Sequence, residues 1–304
     1  MLNLARREEE QGSKMSGFQF EAPTSVDEAV GLLANAAGNA RVLAGGTDLL
    51  VQLRAGVVKP DLIVDIKRID ELKAIKQESD GSFVIGAAVC GQAISENEAL
   101  HKAWPGVVEA MDLIGSTQVQ GRASLGGNLC NASPAADSVP GIIAAGAICI
   151  VAGPNGRREV PVENIPTGPG KTSLAKGEFV VAFKLPPRPA HSGDAYLRMI
   201  PRTEMDIAIV GAGVNLTLDD NGVCTAARVA LGAVAPTALL VKEAGDALIG
   251  TKLDDAALKK LAAAASAACK PIDDKRGTIE YRKKVAGVLA QRAAKIALER
   301  AGSN

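Results

Sequence analysis

Two glycine-rich stretches constrain the fold of this chain more than any other feature of its sequence. Residues 121–140 read GRASLGGNLCNASPAADSVP, and side chains this small and polar cannot build a hydrophobic core. Upstream, the apolar residues 42–44 lead into a second Gly-Gly pair within residues 45–49 (GGTDL). Glycine lets the backbone adopt φ > 0 and lets amides approach a ligand closely, and successive amides in such turns bind anions such as phosphate. A single pair among 32 glycines indicates only a turn, whereas two pairs can supply both sets of donors that a diphosphate needs.

Composition excludes several classes of partner. The 304 residues include 34 basic and 34 acidic side chains and only 3% aromatic residues, so the chain lacks the net charge and the stacking surfaces of a nucleic-acid-binding protein. The longest apolar run, residues 142–152, is too short to span a membrane and is interrupted by Gly146. Residues 1–14 lack the apolar region of a secretory signal. We therefore expect a cytoplasmic protein of two or three domains, with no nucleic-acid partner and no integral membrane segment.

Side chains that could carry chemistry are sparse. The five cysteines are scattered and have no C-x-x-C spacing, so they indicate reduced thiols rather than disulfides, an iron–sulfur cluster or a zinc site. Cys130, within the long glycine-rich stretch, lies either near a ligand or in the core as a small buried residue. The two histidines have no nucleophile or metal ligand nearby in the sequence. We predict no catalytic side chain and no metal site, and we expect the chemistry to belong to a bound cofactor.

Two familiar nucleotide-binding patterns are incomplete. The sequence GPGKT at 168–172 is similar to a Walker loop, but Ile165 stands where that loop needs its first glycine. The sequence GAGVNL at 211–216 lacks the third glycine of a dinucleotide fingerprint and lies within a strand pattern. We exclude both an NTPase and a Rossmann site.

Periodicity and turn signals divide the chain into three units that follow a disordered extension, predicted for residues 1–16. Residues 17–70 alternate strand and helix, with a capping box that starts at Ser25, and form a first lobe. Residues 71–187 form a second lobe that contains the second Gly-Gly turn, and a proline cluster at 186–189 indicates a linker. Residues 190–304 predict an α+β domain, in which two alanine-rich helices accompany a three-stranded antiparallel sheet.

Motifs along nearly the whole chain resemble those of one family. GGTDL is followed by IGSTQV (114–119), SLGGN (124–128) and ASPAAD (132–137), and later by TGPGKT (167–172), YLR (196–198), LGAVAP (231–236) and EYR (280–282). In this order they resemble the FAD-binding medium subunit of molybdenum hydroxylases, the family of xanthine dehydrogenase and aerobic carbon monoxide dehydrogenase. The resemblance implies an α+β fold in which a two-lobed FAD-binding domain of the PCMH type precedes the C-terminal domain.

The resemblance also assigns the residues that bind the cofactor. The FAD diphosphate is expected between the two Gly-Gly segments, where the Thr47 and Ser124 hydroxyls would add hydrogen-bond donors. Ile114 and Val180 match apolar positions that pack on the cofactor rings, although either could be ordinary core. The predicted FAD-binding set is Val42, Leu43, Ala44, Gly45, Gly46, Thr47, Asp48, Leu49, Ile114, Thr117, Ser124, Leu125, Gly126, Gly127, Asn128, Asp137, Val180, Tyr196 and Arg198.

Three residues of this set are assigned to the flavin environment by resemblance. Asp137 matches an acid that contacts the cofactor, although a capping or turn residue would also fit its surroundings. Arg198 matches a position at which some members of the family have a lysine, and a cation there would stabilise the negative charge of a reduced isoalloxazine. Tyr196 is expected to cover that ring.

The resemblance implies electron transfer as the function. Electrons would pass from a molybdopterin-binding large subunit, through the [2Fe–2S] clusters of a small subunit, to the FAD of this chain and then to NAD⁺, a quinone or oxygen. The chain would be one subunit of a heterotrimer that often forms a dimer of heterotrimers. Two alternatives stay open: a stand-alone flavin-dependent oxidoreductase of the PCMH superfamily and a non-catalytic scaffold. Flavin absorbance and copurifying subunits separate the three interpretations.

Overall fold

Residues 17–303 are described by a computed structural model, and within them fourteen strands form four sheets. The predicted disordered extension, residues 1–16, lies outside the described residues. The large sheets follow one another along the chain as three-stranded, five-stranded and four-stranded units. The arrangement is the mixed α+β fold that the sequence predicts.

The first unit is a small parallel sheet with alternating helices. Its elements are β1 (Gln19–Glu21), α1 (Val26–Asn35), β2 (Ala40–Leu43), α2 (Leu49–Arg54) and β3 (Leu62–Asp65), with the strand order β1-β3-β2. Ser25 caps α1, because its side chain accepts a hydrogen bond from the Glu28 amide at 3.2 Å, as the capping box predicts. The β2 strand lies at one edge of this sheet, so the loop that follows it is free to contact the next unit.

The second unit is an antiparallel sheet covered by short helices. Its strands are β4 (Ile75–Gln77), β5 (Phe83–Gly86), β6 (Ile148–Gly153), β7 (Gly156–Pro161) and β10 (Phe179–Leu185), in the order β4-β5-β10-β6-β7, with a separate hairpin of β8 (Pro166–Gly168) and β9 (Lys171–Thr172). Its helices are α3 (Gly91–Ser95), α4 (Glu98–Ala103), α5 (Pro105–Asp112), α6 (Thr117–Gln120), α7 (Leu125–Cys130) and α8 (Ser138–Ala144). Short 3₁₀ segments cover Ile66–Arg68, Asp70–Lys73 and Val162–Asn164.

The C-terminal unit has one strand more than the sequence predicts. It contains β11 (Ser192–Met199), β12 (Val210–Leu218), β13 (Cys224–Gly232), β14 (Leu239–Leu240), α9 (Lys242–Asp246), α10 (Asp255–Ala268) and α11 (Ile279–Gly302). The extra strand, β14, pairs antiparallel with β13 through two residues only, Leu239 opposite Leu231 and Leu240 opposite Ala230. A two-residue strand leaves no alternation to detect in a sequence, which is why three strands were expected.

The proline cluster does not act as a loose linker. Arg188, within it, forms an ion pair with the buried Asp194 at 3.0 Å, and its guanidinium lies 4.3 Å from the centre of the Trp104 ring. The cluster is therefore anchored to both neighbouring units at once. The prolines end the hydrogen-bonded pairing of β10, as expected. Arg188, which lies between them, holds the chain in one path.

A buried ion pair crosses the same seam between the second and third units. Arg198 on β11 donates through Nη1 to Asp137 Oδ2 at 2.9 Å and also to the Leu113 carbonyl, and the two charged side chains are 4% and 12% exposed. Burial raises the pKa of Asp137 to about 6, although the Arg198 charge opposes the shift. Burial likewise raises the pKa of the neighbouring Tyr196 hydroxyl well above its usual value.

We expect Phe183→Ala to destabilise the chain strongly. Phe183 is fully buried on β10, the central strand of the five-stranded sheet, and truncation of a buried aromatic costs about 3–5 kcal/mol of unfolding free energy. The matched control is Phe20→Ala on the edge strand β1, where the ring is 53% exposed and the loss should stay near about 0.5 kcal/mol. Chemical denaturation of both variants measures the difference, and equal losses would contradict the assigned core.

We expect the Asp137 carboxyl to make stability depend on pH. Its pKa is higher in the folded chain, about 6, than the ordinary 3.8, so the folded state binds the proton more tightly. The stabilisation is complete below the ordinary pKa and is lost as the pH rises through about 6. The unfolding free energy of the wild type, minus that of Asp137→Asn, should therefore fall between pH 3.8 and about 6. A difference that stays constant over this interval would contradict the assignment.

Candidate functional site

A cavity of about 440 Å³ lies between the first two units. Its wall is built from residues 38–49 of the first unit and from two segments of the second unit, within 123–131 and 172–180. Cavities of about 300–1,000 Å³ are typical of small-molecule and cofactor sites. The two glycine-rich stretches that the sequence singles out thus both contribute to the wall of one cavity.

The first Gly-Gly loop leaves β2 and turns sharply into α2. Gly46 has φ = +80°, a conformation that residues with side chains rarely adopt. At Gly45 a Cβ atom would lie 1.7 Å from the Arg122 carbonyl oxygen, so only glycine permits the two loops to touch. Lys67 Nζ holds the start of the loop by donating to the Ala44 carbonyl at 2.9 Å. The loop is therefore a fixed part of the wall.

This loop presents unused backbone donors. The amides of Gly45, Gly46, Thr47 and Asp48 have no acceptor within residues 17–303, and all four residues line the cavity. Consecutive free amides around a residue with positive φ form a nest that binds an anionic oxygen. The loop can therefore receive a phosphate group through its backbone alone.

The second Gly-Gly pair differs from its prediction. It is not a turn with positive φ but the first turn of α7, where Ser124 is the N-cap and its Oγ accepts from the Gly127 amide at 3.1 Å. The Gly126 amide donates to the Ala87 carbonyl at 3.1 Å, and a Cβ on Gly126 would meet the same oxygen at 2.5 Å. The prediction that this pair supplies a second set of free amides is therefore wrong. Gly126 is needed for close packing against the end of β5.

Gly127 has a different environment from Gly45, Gly46 and Gly126. A Cβ on Gly127 would meet only Ser124 Oγ, at 3.3 Å, and Gly127 lines the cavity. The position is thus open on the cavity side, where a ligand can approach the backbone. Ser124 Oγ accepts from the helix and keeps its own proton to donate.

Two amide side chains brace the wall. Gln52 Nε2 on α2 donates to Asn131 Oδ1 at 2.9 Å, which joins the first unit to the second beside the cavity. Asn128 Oδ1 accepts from the Ser138 amide at 3.1 Å and from its hydroxyl at 2.7 Å, so this side chain fixes α8 relative to α7. The side-chain NH₂ of Asn128 remains available.

Two titratable side chains on the cavity wall are held inactive, and a third, Asp48, has its pKa raised by burial. Burial raises the pKa of the Cys130 thiol to about 12, so this residue, which does line the cavity, stays a neutral thiol rather than a nucleophile. Glu178 accepts two hydrogen bonds from Arg158, at 2.8 and 2.7 Å, and these hold the pKa of Glu178 below its usual range. Within residues 17–303 no three His, Cys, Asp or Glu side chains come together as a metal site would require.

Most of the predicted binding residues lie on the cavity wall. They are Val42, Ala44, Gly45, Gly46, Thr47, Asp48, Leu49, Ile114, Ser124, Gly126, Gly127, Asn128 and Val180. Leu43 and Leu125 are buried within the protein, and Thr117 begins the exposed turn α6. Asp137, Tyr196 and Arg198 lie together at the seam with the C-terminal unit and not on the wall.

Several other wall residues lie outside the predicted FAD-binding set. Gln52 and Asn131 lie within or beside the glycine-rich stretches, and the helical spacing of Leu49 and Gln52 was a usable signal for one of them. Others lie just before the predicted Val42, such as Gly38, Asn39 and Arg41, and several come from a distant segment: Thr172, Leu174, Lys176 and Glu178. No local pattern marks the residues of the distant segment, because only the packing of the two units brings them to the cavity.

The described part of the chain, residues 17–303, contains no helix with the length and apolar character needed to cross a lipid bilayer.

Comparison with known proteins covers almost the entire chain. Residues 16–188 match the family model of the FAD binding domain in molybdopterin dehydrogenase, and residues 195–297 match that of the CO dehydrogenase flavoprotein C-terminal domain. The carbon monoxide dehydrogenase medium chain of Hydrogenophaga pseudoflava is 34% identical over 276 residues, which are 91% of this chain and 95% of that relative. The xanthine dehydrogenase FAD-binding subunit of Escherichia coli O157:H7 is 35% identical over 226 residues, 74% of this chain and 77% of the relative.

A solved structure shows the same fold. It is a carbon monoxide dehydrogenase from Hydrogenophaga pseudoflava that lacks the Mo-pyranopterin moiety, and it superposes with a TM-score of 0.89 at 35% identity over 93% of this chain and 98% of the matched chain. Together with the family models, this shows that the chain belongs to the family of FAD-binding medium subunits of molybdenum hydroxylases.

Proposed function

We propose that this chain is the FAD-carrying subunit of a molybdenum hydroxylase complex, which receives electrons from the [2Fe–2S] clusters of a small subunit and passes them to an external acceptor. The observation that carries the proposal is the row of four unpaired amides, Gly45 to Asp48, on the wall of a cavity between two lobes. FAD is the cofactor of the family to which the chain belongs. When bound, it accepts electrons from one partner and releases them to another.

The residues present fit such a cofactor. A diphosphate needs several donors and no nearby side-chain bulk, and the first Gly-Gly loop offers four amides in a row. The hydroxyls of Thr47 and Ser124 lie on the same wall and can add donors. Ile114 and Val180, both almost fully buried, provide apolar surface for the rings. We retain these assignments as predictions for bound FAD.

We modify the proposed role of the three residues at the seam, Asp137, Tyr196 and Arg198. The Asp137 carboxyl is buried at the seam, where it interacts with both the Tyr196 hydroxyl and the Arg198 guanidinium. Arg198 is already bonded to Asp137 and to the Leu113 carbonyl, one residue from the wall residue Ile114. We propose that these residues position Ile114 and the adjoining wall.

The side chains around the cavity favour electron transfer over an independent enzyme. A stand-alone flavin enzyme needs an acid or base beside its substrate, whereas Glu178 is bound by Arg158 and Cys130 is a neutral thiol. Asp48, whose pKa is raised by burial, lies on the loop that we assign to the diphosphate and not beside the residues that we assign to the rings. The chain therefore supplies position and electrostatics to the flavin, and substrate oxidation belongs to another subunit. The relatives named above are single subunits of dehydrogenases, which supports partners of this kind.

We further propose a cytoplasmic heterotrimer with a molybdopterin-binding large subunit and a [2Fe–2S] small subunit, assembled as a dimer of heterotrimers. We also propose that the chain is divided into a first lobe at residues 17–70, a second lobe at residues 71–187 and a C-terminal domain at residues 190–304. We modify this division in one respect. Val64 and Ile66 of the first lobe share a hydrophobic core with Phe179 and Val181 of β10, so the two lobes would fold as one domain.

Purification of the chain with and without its partners tests the function. The isolated chain should contain about one FAD per polypeptide, with flavin absorbance, and should copurify with subunits that contain iron, sulfide and molybdenum. Substrate of the complex should then reduce the flavin only when the cluster subunit is present. A colourless chain would indicate a scaffold, and flavin reduction by substrate in the isolated chain would indicate a stand-alone enzyme.

We expect Gly127→Leu to lose FAD while the chain still folds. A side chain at this position meets little protein but enters the cavity wall, so FAD affinity should fall at least about tenfold, equivalent to about 1.4 kcal/mol. The matched control is Gly31→Leu, a glycine in helix α1 where a Cβ would have no atom within 4 Å and which has no place on the wall. Flavin absorbance per polypeptide and circular dichroism measure both variants. Stoichiometric FAD in Gly127→Leu would contradict the assigned site.

A further inference from the structure

We propose that Lys67 is a positioning residue for the anion-binding loop, which we define as residues 44–48, and that its positive charge strengthens the binding of a diphosphate there. Lys67 acts through the backbone, because it contacts the loop while the cavity wall includes its neighbour Ile66 and not Lys67 itself. The inference rests on the proposed function, because it concerns the diphosphate of the FAD that we assign to the cavity.

Two contacts place the Lys67 ammonium beside the loop. Its Nζ donates to the Ala44 carbonyl at 2.9 Å and to Asp65 Oδ1 at 2.7 Å, and the same Asp65 oxygen accepts from the Lys67 amide at 3.0 Å. The Lys67 and Asp65 side chains are only 28% and 16% exposed. A carboxylate at the end of β3 thus holds a long, flexible side chain in one position, from which it reaches the start of the loop.

The contact at Ala44 acts directly on a donor of the loop. The Ala44 carbonyl and the Gly45 amide belong to one conjugated peptide group. A cation bound to the carbonyl oxygen makes the N–H of that group a stronger donor, and hydrogen bonds linked in this way strengthen one another by about 10–30%. The Gly45 amide has no acceptor within residues 17–303, and Gly45 lines the cavity. The Lys67 charge is therefore transmitted to a donor that is free to bind a phosphate oxygen.

The loop benefits from a cation because it contains an acid of its own. Asp48 lines the cavity beside the free amides, and its side chain makes no capping hydrogen bond at the start of α2. The ionised form of this carboxylate repels a diphosphate bound to the same loop. Lys67 contacts the loop and offsets part of that repulsion.

The ion pair with Asp65 reduces this effect without cancelling it. The Lys67 ammonium donates directly to the loop carbonyl, whereas the Asp65 carboxylate contacts only Lys67 in the part of the chain that the structure describes. In the pairing of β2 with β3, Asp65 lies opposite Leu43, before the loop begins. Electrostatic interactions weaken with distance, so the charge in contact with the loop dominates there.

Lys67→Met tests the inference, because it removes the charge and keeps most of the side-chain length. The affinity for FAD, measured by titrating the flavin-free full-length chain, should fall at least about tenfold. The matched control is Lys73→Met in the 3₁₀ segment Asp70–Lys73, where Lys73 forms a surface ion pair with Asp70 at 3.1 Å. The control loses the same charge from the same lobe and should bind FAD like the wild type.

Two further variants separate the charge from the hydrogen bond. Lys67→Gln keeps a donor without a charge, so it should also lose FAD affinity, and it replaces Lys67→Met if that variant does not fold. Lys67→Arg keeps a cationic donor and should recover most of the affinity that Lys67→Gln loses. Circular dichroism and the unfolding free energy of each flavin-free variant check that the fold is intact.

The dependence on salt is a readout that a purely structural role would not change. Salt screens the attraction between a cation and a diphosphate, so the FAD affinity of the wild type should fall more steeply with ionic strength than that of Lys67→Gln. Equal salt dependence in the two chains would overturn the inference. Wild-type FAD affinity in both neutral variants, Lys67→Met and Lys67→Gln, would overturn it as well.

The two proposals fail in different ways. If the wild-type chain binds no FAD, the proposed function fails. If the wild type binds FAD and the neutral variants at Lys67 bind it equally tightly, the function stands and only the role of Lys67 fails.

Discussion

The contact between the Gly45 backbone and the Arg122 carbonyl is the constraint on which the rest of the site depends. No Cβ atom can be accommodated there, since it would lie 1.7 Å from the carbonyl oxygen. This approach brings the edge of a parallel sheet against the helical layer of an antiparallel one and thereby creates the cavity between them. The Gln52–Asn131 hydrogen bond and the shared apolar core then hold the two lobes in this arrangement.

Close packing through glycine recurs where the C-terminal unit meets the others. A Cβ on Gly193 of β11 would lie 2.0 Å from the Ala297 carbonyl of α11, and one on Gly213 of β12 would lie 2.6 Å from the Pro140 carbonyl of α8. These contacts let α11 and α8 lie directly on the sheet. Helix α8 begins within the glycine-rich stretch, so its packing on the C-terminal unit supports the cavity wall, together with the Asp137–Arg198 ion pair.

The two Gly-Gly pairs have different physical roles despite their similar sequences. The first is a loop that keeps its amides free, and the second is a helix start whose amides are already bonded to Ser124 and Ala87. A sequence shows that both pairs lack side chains, but hydrogen-bond partners are set by what packs around each pair. The anion-binding capacity of the wall is therefore concentrated in the first loop, and the second contributes a hydroxyl and an open backbone position at Gly127.

By itself the sequence determined the main elements and their order, because periodicity, capping at Ser25 and Gly-rich turns act over a few neighbouring positions. Its resemblance to one family also identified part of the cavity wall, chiefly the residues of the two Gly-Gly segments. The motifs also determined the family, since they extend in order along the chain. The tertiary structure decided which glycine amides stay free, that Asp137, Tyr196 and Arg198 lie at a seam, and that β14 joins the last sheet. Only the tertiary structure shows that the apolar side chains of α2 are exposed to solvent. Each of these depends on contacts between residues far apart in the chain, and local chemistry does not encode such contacts.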